Sequence, residues 1–186
     1  EFEAALRALR EALARARASG NSMALASALN NFGFVSYLAG DLDQALAMME
    51  ESLEHRRQQG VRYGLAIGLD NLAYIRAARG ETEAAEALFH EALRMAQERH
   101  SVPLANDVIL GLATLLPLPA QAPRAVELMT FVLQHPLSWR ETKDRAERWL
   151  AERLCHLAPE GAAAAQARAC AITYEAVVED LLPAAA

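Results

Sequence analysis

Lysine occurs once, at Lys143, and the formal net charge is −6. Without a basic excess, direct contact with nucleic acid is not expected. The densest basic stretch, Arg7, Arg10, Arg15 and Arg17, is interleaved with Glu1, Glu3 and Glu11. That is the pattern of a solvated helix face rather than of a phosphate-binding patch. Cysteine occurs twice, at Cys155 and Cys170, with no metal-ligand spacing around either. A disulfide framework is therefore excluded, and reduced cytoplasmic thiols, small and buried like other apolar residues, are expected. No apolar run approaches the ~18 residues that a membrane span needs. The opening Glu-Phe-Glu-Ala-Ala lacks both an initiator Met and the basic-then-apolar shape of a signal peptide. Neither membrane insertion nor export is expected.

The motifs of chemistry are also missing. Gly64 and Gly68 fall on an expected helix rather than in a phosphate loop. His90-Glu91 starts like a zinc-protease helix, but Leu93 and Arg94 follow where its second histidine should come. The five histidines are scattered, and paired carboxylates such as Glu50–Glu51 and Glu81–Glu83 have the places of helix surface and helix starts. No catalytic residue, metal ligand or cofactor is expected, and the chain does not read as an enzyme.

What is present is helix-forming material. Apolar residues make up 53% of the chain and are mostly Ala and Leu, which carry the lowest helix cost. They are organised as a repeat. Gly20 and Gly60 are forty residues apart, as are Gly40 and Gly80. Sliding residues 20–59 onto 60–99 pairs Leu25, Ala26, Leu29, Asn31, Ala45, Ala47, Glu51 and Leu53 with identical residues at 65, 66, 69, 71, 85, 87, 91 and 93. Conservative pairs fill the gaps: Phe32 with Leu72, Phe34 with Tyr74, Val35 with Ile75, Met49 with Phe89.

Each unit reads as two helices. A helix A runs from about Ser22 to Ala39 and again from Arg62 to Arg79, on the helical spacing of Leu25, Leu29, Phe32 and Ser36. Gly40 and Gly80 supply the left-handed residue that ends it. Asp41, with Gln44 three residues on, forms a variant capping box for helix B, and Glu81 and Thr82 stand in the same place one unit later. Gly33 lies inside helix A, where glycine costs about 1 kcal/mol relative to Ala, which implies a close contact there.

The order Leu-x-x-Phe/Leu-Gly/Ala, Gly-Asp/Glu, Ala, Met/Phe-x-x-Ser/Ala-Leu resembles the tetratricopeptide repeat. The forty-residue period and the Leu-x-Asn-x-Gly/Ala start are similar to its longer variant, typical of kinesin light chains and of bacterial multidomain NTPase and transcriptional regulators. The resemblance implies an all-α fold, a right-handed solenoid of antiparallel helix hairpins, with about eight helices. The expected division is one solenoid over residues 1–186. Residues 1–19 are helix B of a truncated repeat, 20–59 and 60–99 are full repeats, 100–135 a degenerate one, and 136–186 C-terminal capping helices. In the degenerate unit Leu110-Gly111 take the places of Phe32-Gly33, and Ala125, Met129 and Leu133 form helix B after a Pro117–Pro123 turn. The capping helices are expected at about Trp139–Leu157 and Gly161–Leu182.

Because residues 1–19 match only a helix B, the chain is expected to be part of a longer array, with part of a stripe such as Phe2, Leu6, Leu9 and Leu13 exposed at its N-terminal edge. That edge favours a homodimer. The segment from His135-Pro136 to Ala158-Pro159-Glu160 looks like the C-terminal end of large bacterial signalling regulators, which places the upstream NTPase or effector domains of such a parent among the expected partners.

In this family A helices line the concave groove. Ser27, Asn30, Asn31, Phe34 and Tyr37 in the first full repeat, and Ile67, Asp70, Asn71, Tyr74 and Ala78 in the second, stand toward or beside it; Ala105, Val108, Ile109 and Leu112 follow in the third. Asn31 and Asn71 are the leading candidates. An amide offers donors and an acceptor, so two of them one repeat apart could grip the backbone of an extended peptide, as similar proteins of the kinesin light chain type do. Phe34, Tyr37 and Tyr74 would add apolar pockets. The same amides could instead bridge neighbouring repeats and only hold the stack. Two functions stand side by side: a protein- or peptide-binding sensor module of a bacterial signalling or transcriptional regulator, or a structural oligomerisation or spacer arm with an empty groove.

Overall fold

The computed structural model describes residues 2–182. Among them it contains ten helices and no strand. These are α1 (Phe2–Ser19), α2 (Ser22–Leu38), α3 (Leu42–Gln59), α4 (Arg62–Ala78), α5 (Thr82–Glu98), α6 (Val102–Leu115), α7 (Ala122–Gln134), α8 (Arg140–Leu154), α9 (Pro159–Ala171) and α10 (Tyr174–Leu181). The all-α succession of packed hairpins expected from the sequence is what each part of the chain contains. The count exceeds the expected eight partly because the final helix, expected unbroken over 161–182, stops at Ala171. Thr173 then caps a new helix, accepting a hydrogen bond from the Ala176 amide at 3.3 Å.

The chain divides into two compact units, residues up to 88 and residues from 89, with the boundary inside α5. In the first unit α2 packs against α1, α3 and α4. The helices are stopped by one device used repeatedly. Gly40 and Gly80 have φ of +87° and +79°, and their amides bond back to Tyr37 and Ala77. The next amides, of Asp41 and Glu81, reach the carbonyls of Ser36 and Arg76, both at 2.9 Å. This is the left-handed termination that lets a chain reverse while satisfying carbonyls at the helix end. Asp41 caps α3 as expected, accepting from the Gln44 amide at 3.1 Å. The reciprocal half of the capping box is not made, because the Gln44 side chain accepts instead from the buried Ser36 hydroxyl, at 3.1 Å.

Small residues mark where helices touch. A Cβ on Gly33 would stand 3.1 Å from the Ala45 carbonyl oxygen of α3, and one on Gly68 would stand 2.7 Å from the Leu53 side chain. Gly64 leaves room for Arg56, whose guanidinium pKa burial lowers. Around these contacts Leu29, Met49, Leu53 and Leu69 are fully buried, each contributing about 1.5–3 kcal/mol of transfer free energy. Ser52 donates to the Ala26 carbonyl at 2.7 Å, bonding α3 to α2 inside the core. At the end of α4, Arg76 holds Glu50 (2.7 Å) and Glu81 (2.5 Å), while Arg79 holds Glu81 (2.8 Å) and Asp43. Hydrogen bonds from Arg76 and Arg79 lower the Glu81 carboxyl pKa, and those to Glu81 and Asp43 raise that of Arg79.

The N-terminal edge exposes part of its apolar stripe. Leu13 is buried against Leu29 and Phe32, with Leu6 and Leu9 partly covered by the same cluster. Of the expected stripe only Phe2, 47% exposed, stands clear.

In the second unit α7 packs against α6, α8 and α9. Gly111 faces the Phe89 ring, which would lie 2.3 Å from an added Cβ. Two buried carboxylates organise the rest. Asp107 accepts from Thr142 (2.5 Å) and Arg145. Glu127 accepts from Arg124 and from Arg168 (2.8 Å), and Arg124 also pairs with Asp180. These bonds join α6 to α8, and α7 to α9 and α10. Cys155 and Cys170, expected to be buried, are both exposed. α9 turns Ala165 and Ala169 inward, which puts Cys170 on its outer side, and Cys155 stands at the open end of α8.

Candidate functional site

The groove candidates separate into accessible and buried groups. Ser27 and Asn31 are exposed, and Phe34 and Tyr37 are half-buried, their rings 6.0 Å apart. Asn30, Asp70, Asn71 and Tyr74 are buried. So are Ala105, Val108, Ile109 and Leu112 in the third repeat.

Asn30, Asn31 and Asn71 form one chain of hydrogen bonds. The Asn71 amide nitrogen donates to the Asn30 oxygen at 3.3 Å, and the Asn30 nitrogen donates to the Asn31 oxygen at 3.5 Å. Asn71 thus meets the residue forty-one positions earlier, not its repeat equivalent Asn31. The bridge between neighbouring A helices and the exposed amide belong to a single array. Its inner members are satisfied by one another, as buried amides must be. At its outer end the Asn31 nitrogen has no partner among the described residues, so it has hydrogen-bonding capacity to offer.

Sequence reasoning missed the exposed apolar residues of the A helices. Met23 is 60% exposed, Leu38 42% and Tyr63 40%. Met23 and Tyr63 are forty residues apart, and this repetition of an apolar residue in the first turn of helix A was the available signal. On α2, Met23, Ala24, Ser27, Asn31, Phe34 and Leu38 fall within one stripe about 100° wide at 3.6 residues per turn.

The model of the family described as tetratricopeptide repeat matches residues 1–58 and 24–98. Together the two matches span more than half of the 186 residues. The chain belongs to the tetratricopeptide repeat family. No match is found among curated proteins. Tetratricopeptide repeats generally mediate protein–protein interaction, and here they present an amide set between apolar side chains on a helix face. Among the described residues no group of three or more His, Cys, Asp or Glu side chains could hold a metal ion, and no helix is long and apolar enough to cross a membrane.

Proposed function

We propose that this chain is a protein- or peptide-binding module whose contact surface is the exposed face of α2, with Asn31 at its centre. Ser27, Phe34 and Tyr37 complete the contact set, and the buried Asn30 and Asn71 act as positioning residues. The observation that carries this reading is the hydrogen-bonded chain Asn71–Asn30–Asn31. It fixes an exposed amide from behind at no cost in ordering when a partner arrives, which is what preorganisation contributes to affinity. The module has no catalysis of its own in this reading. The likeness of residues 135–160 to the C-terminal ends of bacterial signalling and transcriptional regulators supports a sensor role within such a parent, whose NTPase or effector domains would be its partners. Binding would act there by favouring one state of the parent over another.

The test is capture of partners from the source organism by wild type and by Asn31→Ala, read by mass spectrometry. Asn31 is exposed, but its replacement removes the acceptor of the Asn30 nitrogen, so a loss of about 1 kcal/mol in stability is expected with the chain still folded. A partner lost with Asn31→Ala while the circular dichroism spectrum and a cooperative melt are kept supports the site; partners retained equally refute it.

The exposed Phe2 favours a second reading, self-association through the N-terminal edge. Beside it, Glu3, Leu6, Arg7 and Arg10 line a depression of about 290 Å³, and the Arg10 guanidinium lies 5.7 Å from the centre of the Phe32 ring. Light scattering across a concentration series should then show a dimer that Phe2→Glu abolishes. A monomer at every concentration removes this reading.

A further inference from the structure

We infer that the partner of the α2 face is an amphipathic α-helix with an uncharged seam, laid along α2 rather than across the repeats. This rests on the reading of α2 as the binding surface and specifies what that surface takes.

The first observation is the direction of the accessible groups. An extended peptide running from repeat to repeat needs equivalent residues open on both α2 and α4. The α4 equivalents of Asn31 and Phe34 are Asn71 and Tyr74, and both are buried. The amide of Asn71 is already committed to Asn30. A two-rung amide ladder is thereby withdrawn, and the open positions run along the axis of α2. From Met23 to Leu38 that is roughly 22 Å at 1.5 Å per residue.

The second observation is spacing. Ala24, Ser27, Asn31, Phe34 and Leu38 follow one another at intervals of three, four, three and four. This is the alternation by which one helix presents a seam to another, and a single Asn within such a seam sets register. An extended chain repeats every two residues and cannot keep in step with it.

The third observation is charge. α2 carries no charged residue in its 17 positions, although 23% of the chain is charged. A solvated helix face ordinarily carries charge. A partner bringing a carboxylate or ammonium onto this stripe would lose hydration without gaining an ion pair. The matching surface is apolar, with one or two amide or hydroxyl groups opposite Asn31.

The test uses two displayed peptide libraries against the full 186-residue chain. One holds helices of three heptads with only the seam positions varied. The other holds segments kept extended by a proline at every third place. The inference expects binders from the helical library. Their affinity should fall about tenfold or more with Leu38→Glu or Met23→Glu and change less than about twofold with Tyr63→Glu on α4. Binding should also vary less than about twofold between low and high salt, since no ion pair contributes. Binders only from the extended library, weakened alike by Asn31→Ala and Tyr63→Glu, would overturn the helical partner and leave α2 as the binding face. No binders, or binders indifferent to Asn31→Ala, Met23→Glu and Leu38→Glu, would overturn both. Melting curves of each variant separate lost binding from lost fold.

Discussion

Glycines at 20, 40, 60 and 80 mark every twentieth residue, and the next place in that series is His100. The backbone there keeps the same turn. His100 has φ of +51°, its amide bonds to the Gln97 carbonyl at 3.0 Å, and the Ser101 amide reaches Ala96 at 2.9 Å. Those are the bonds made around Gly40 and Gly80. The left-handed conformation costs a residue with a side chain about 1–2 kcal/mol. Glycine in its place would lose roughly 0.5–1 kcal/mol more in chain entropy on folding. His100→Gly should therefore stabilise by about 0.5–1 kcal/mol, or about 2–4 °C in melting temperature for 1 kcal/mol in a chain of this size. The reverse change is Gly80→Ala. A Cβ there would meet nothing within 4 Å, so only the backbone cost acts, and a loss of about the same size is expected. Circular dichroism melts and urea midpoints of the two variants against wild type give both signs. A lower midpoint for His100→Gly, or a higher one for Gly80→Ala, would refute the account of these turns.

Further outcomes follow from the buried amides and from one histidine. Among the described residues Asn71 is the donor at the buried Asn30 oxygen, so Asn71→Ala should cost about 1–3 kcal/mol in urea unfolding, more than Asn31→Ala, which removes only a longer, part-buried bond at 3.5 Å; a smaller effect of Asn71→Ala would deny the buried bond its structural part. His135 lies between Phe131 and Tyr174, with ring centres at 5.5 and 5.9 Å, and its Nδ1 accepts from the Leu137 amide. Burial and the nearby Lys143 lower its pKa, so the unfolded chain takes up the proton first. That contribution to stability is complete above the unfolded value of about 6.5 and is lost as pH falls through the folded one. A melting temperature that declines below about pH 6.5, with a shallower decline in His135→Gln, is the expected record; identical slopes would remove His135 as the cause.

Much of the fold was legible because its turns make a demand that few residues meet. A left-handed helix stop selects glycine, so Gly40 and Gly80 located two hairpins to within a residue or so. Gly33 announced close packing in the same way, since only a neighbour as near as the Ala45 carbonyl justifies a glycine inside a helix. Legibility failed where no repeat frame remained. Beyond Pro136 nothing said which side of α9 faces inward or that α8 stops at Leu154, and Cys170 and Cys155 were misplaced for those two reasons. Thr173, with Glu175 in the first turn after it, was an available cap signal for the break before α10. In the candidate site Asn31 is exposed and Asn71 buried, a difference that their equivalent places in the repeat did not reveal, and the relation between the two was not readable. α2 and α4 meet there one residue off the forty-residue repeat, Asn71 against Asn30. Sequence periodicity aligns equivalent positions; it does not say which positions touch.

The Asn30–Asn71 bond also bears on how an array of look-alike parts assembles in the right order. Residues 20–59 and 60–99 share one pattern of core positions, and apolar burial, being non-directional, says little by itself about which hairpin stacks beside which. The amide pair says more. In α6 the place equivalent to Asn71 is Ile109, which offers no donor, so α2 seated there would bury the Asn30 oxygen unsatisfied at a cost of about 1–3 kcal/mol. Since about 1.4 kcal/mol is a factor of ten, one weak hydrogen bond biases the stacking order by roughly tenfold, and works as a sorting label among repeats that share one core pattern.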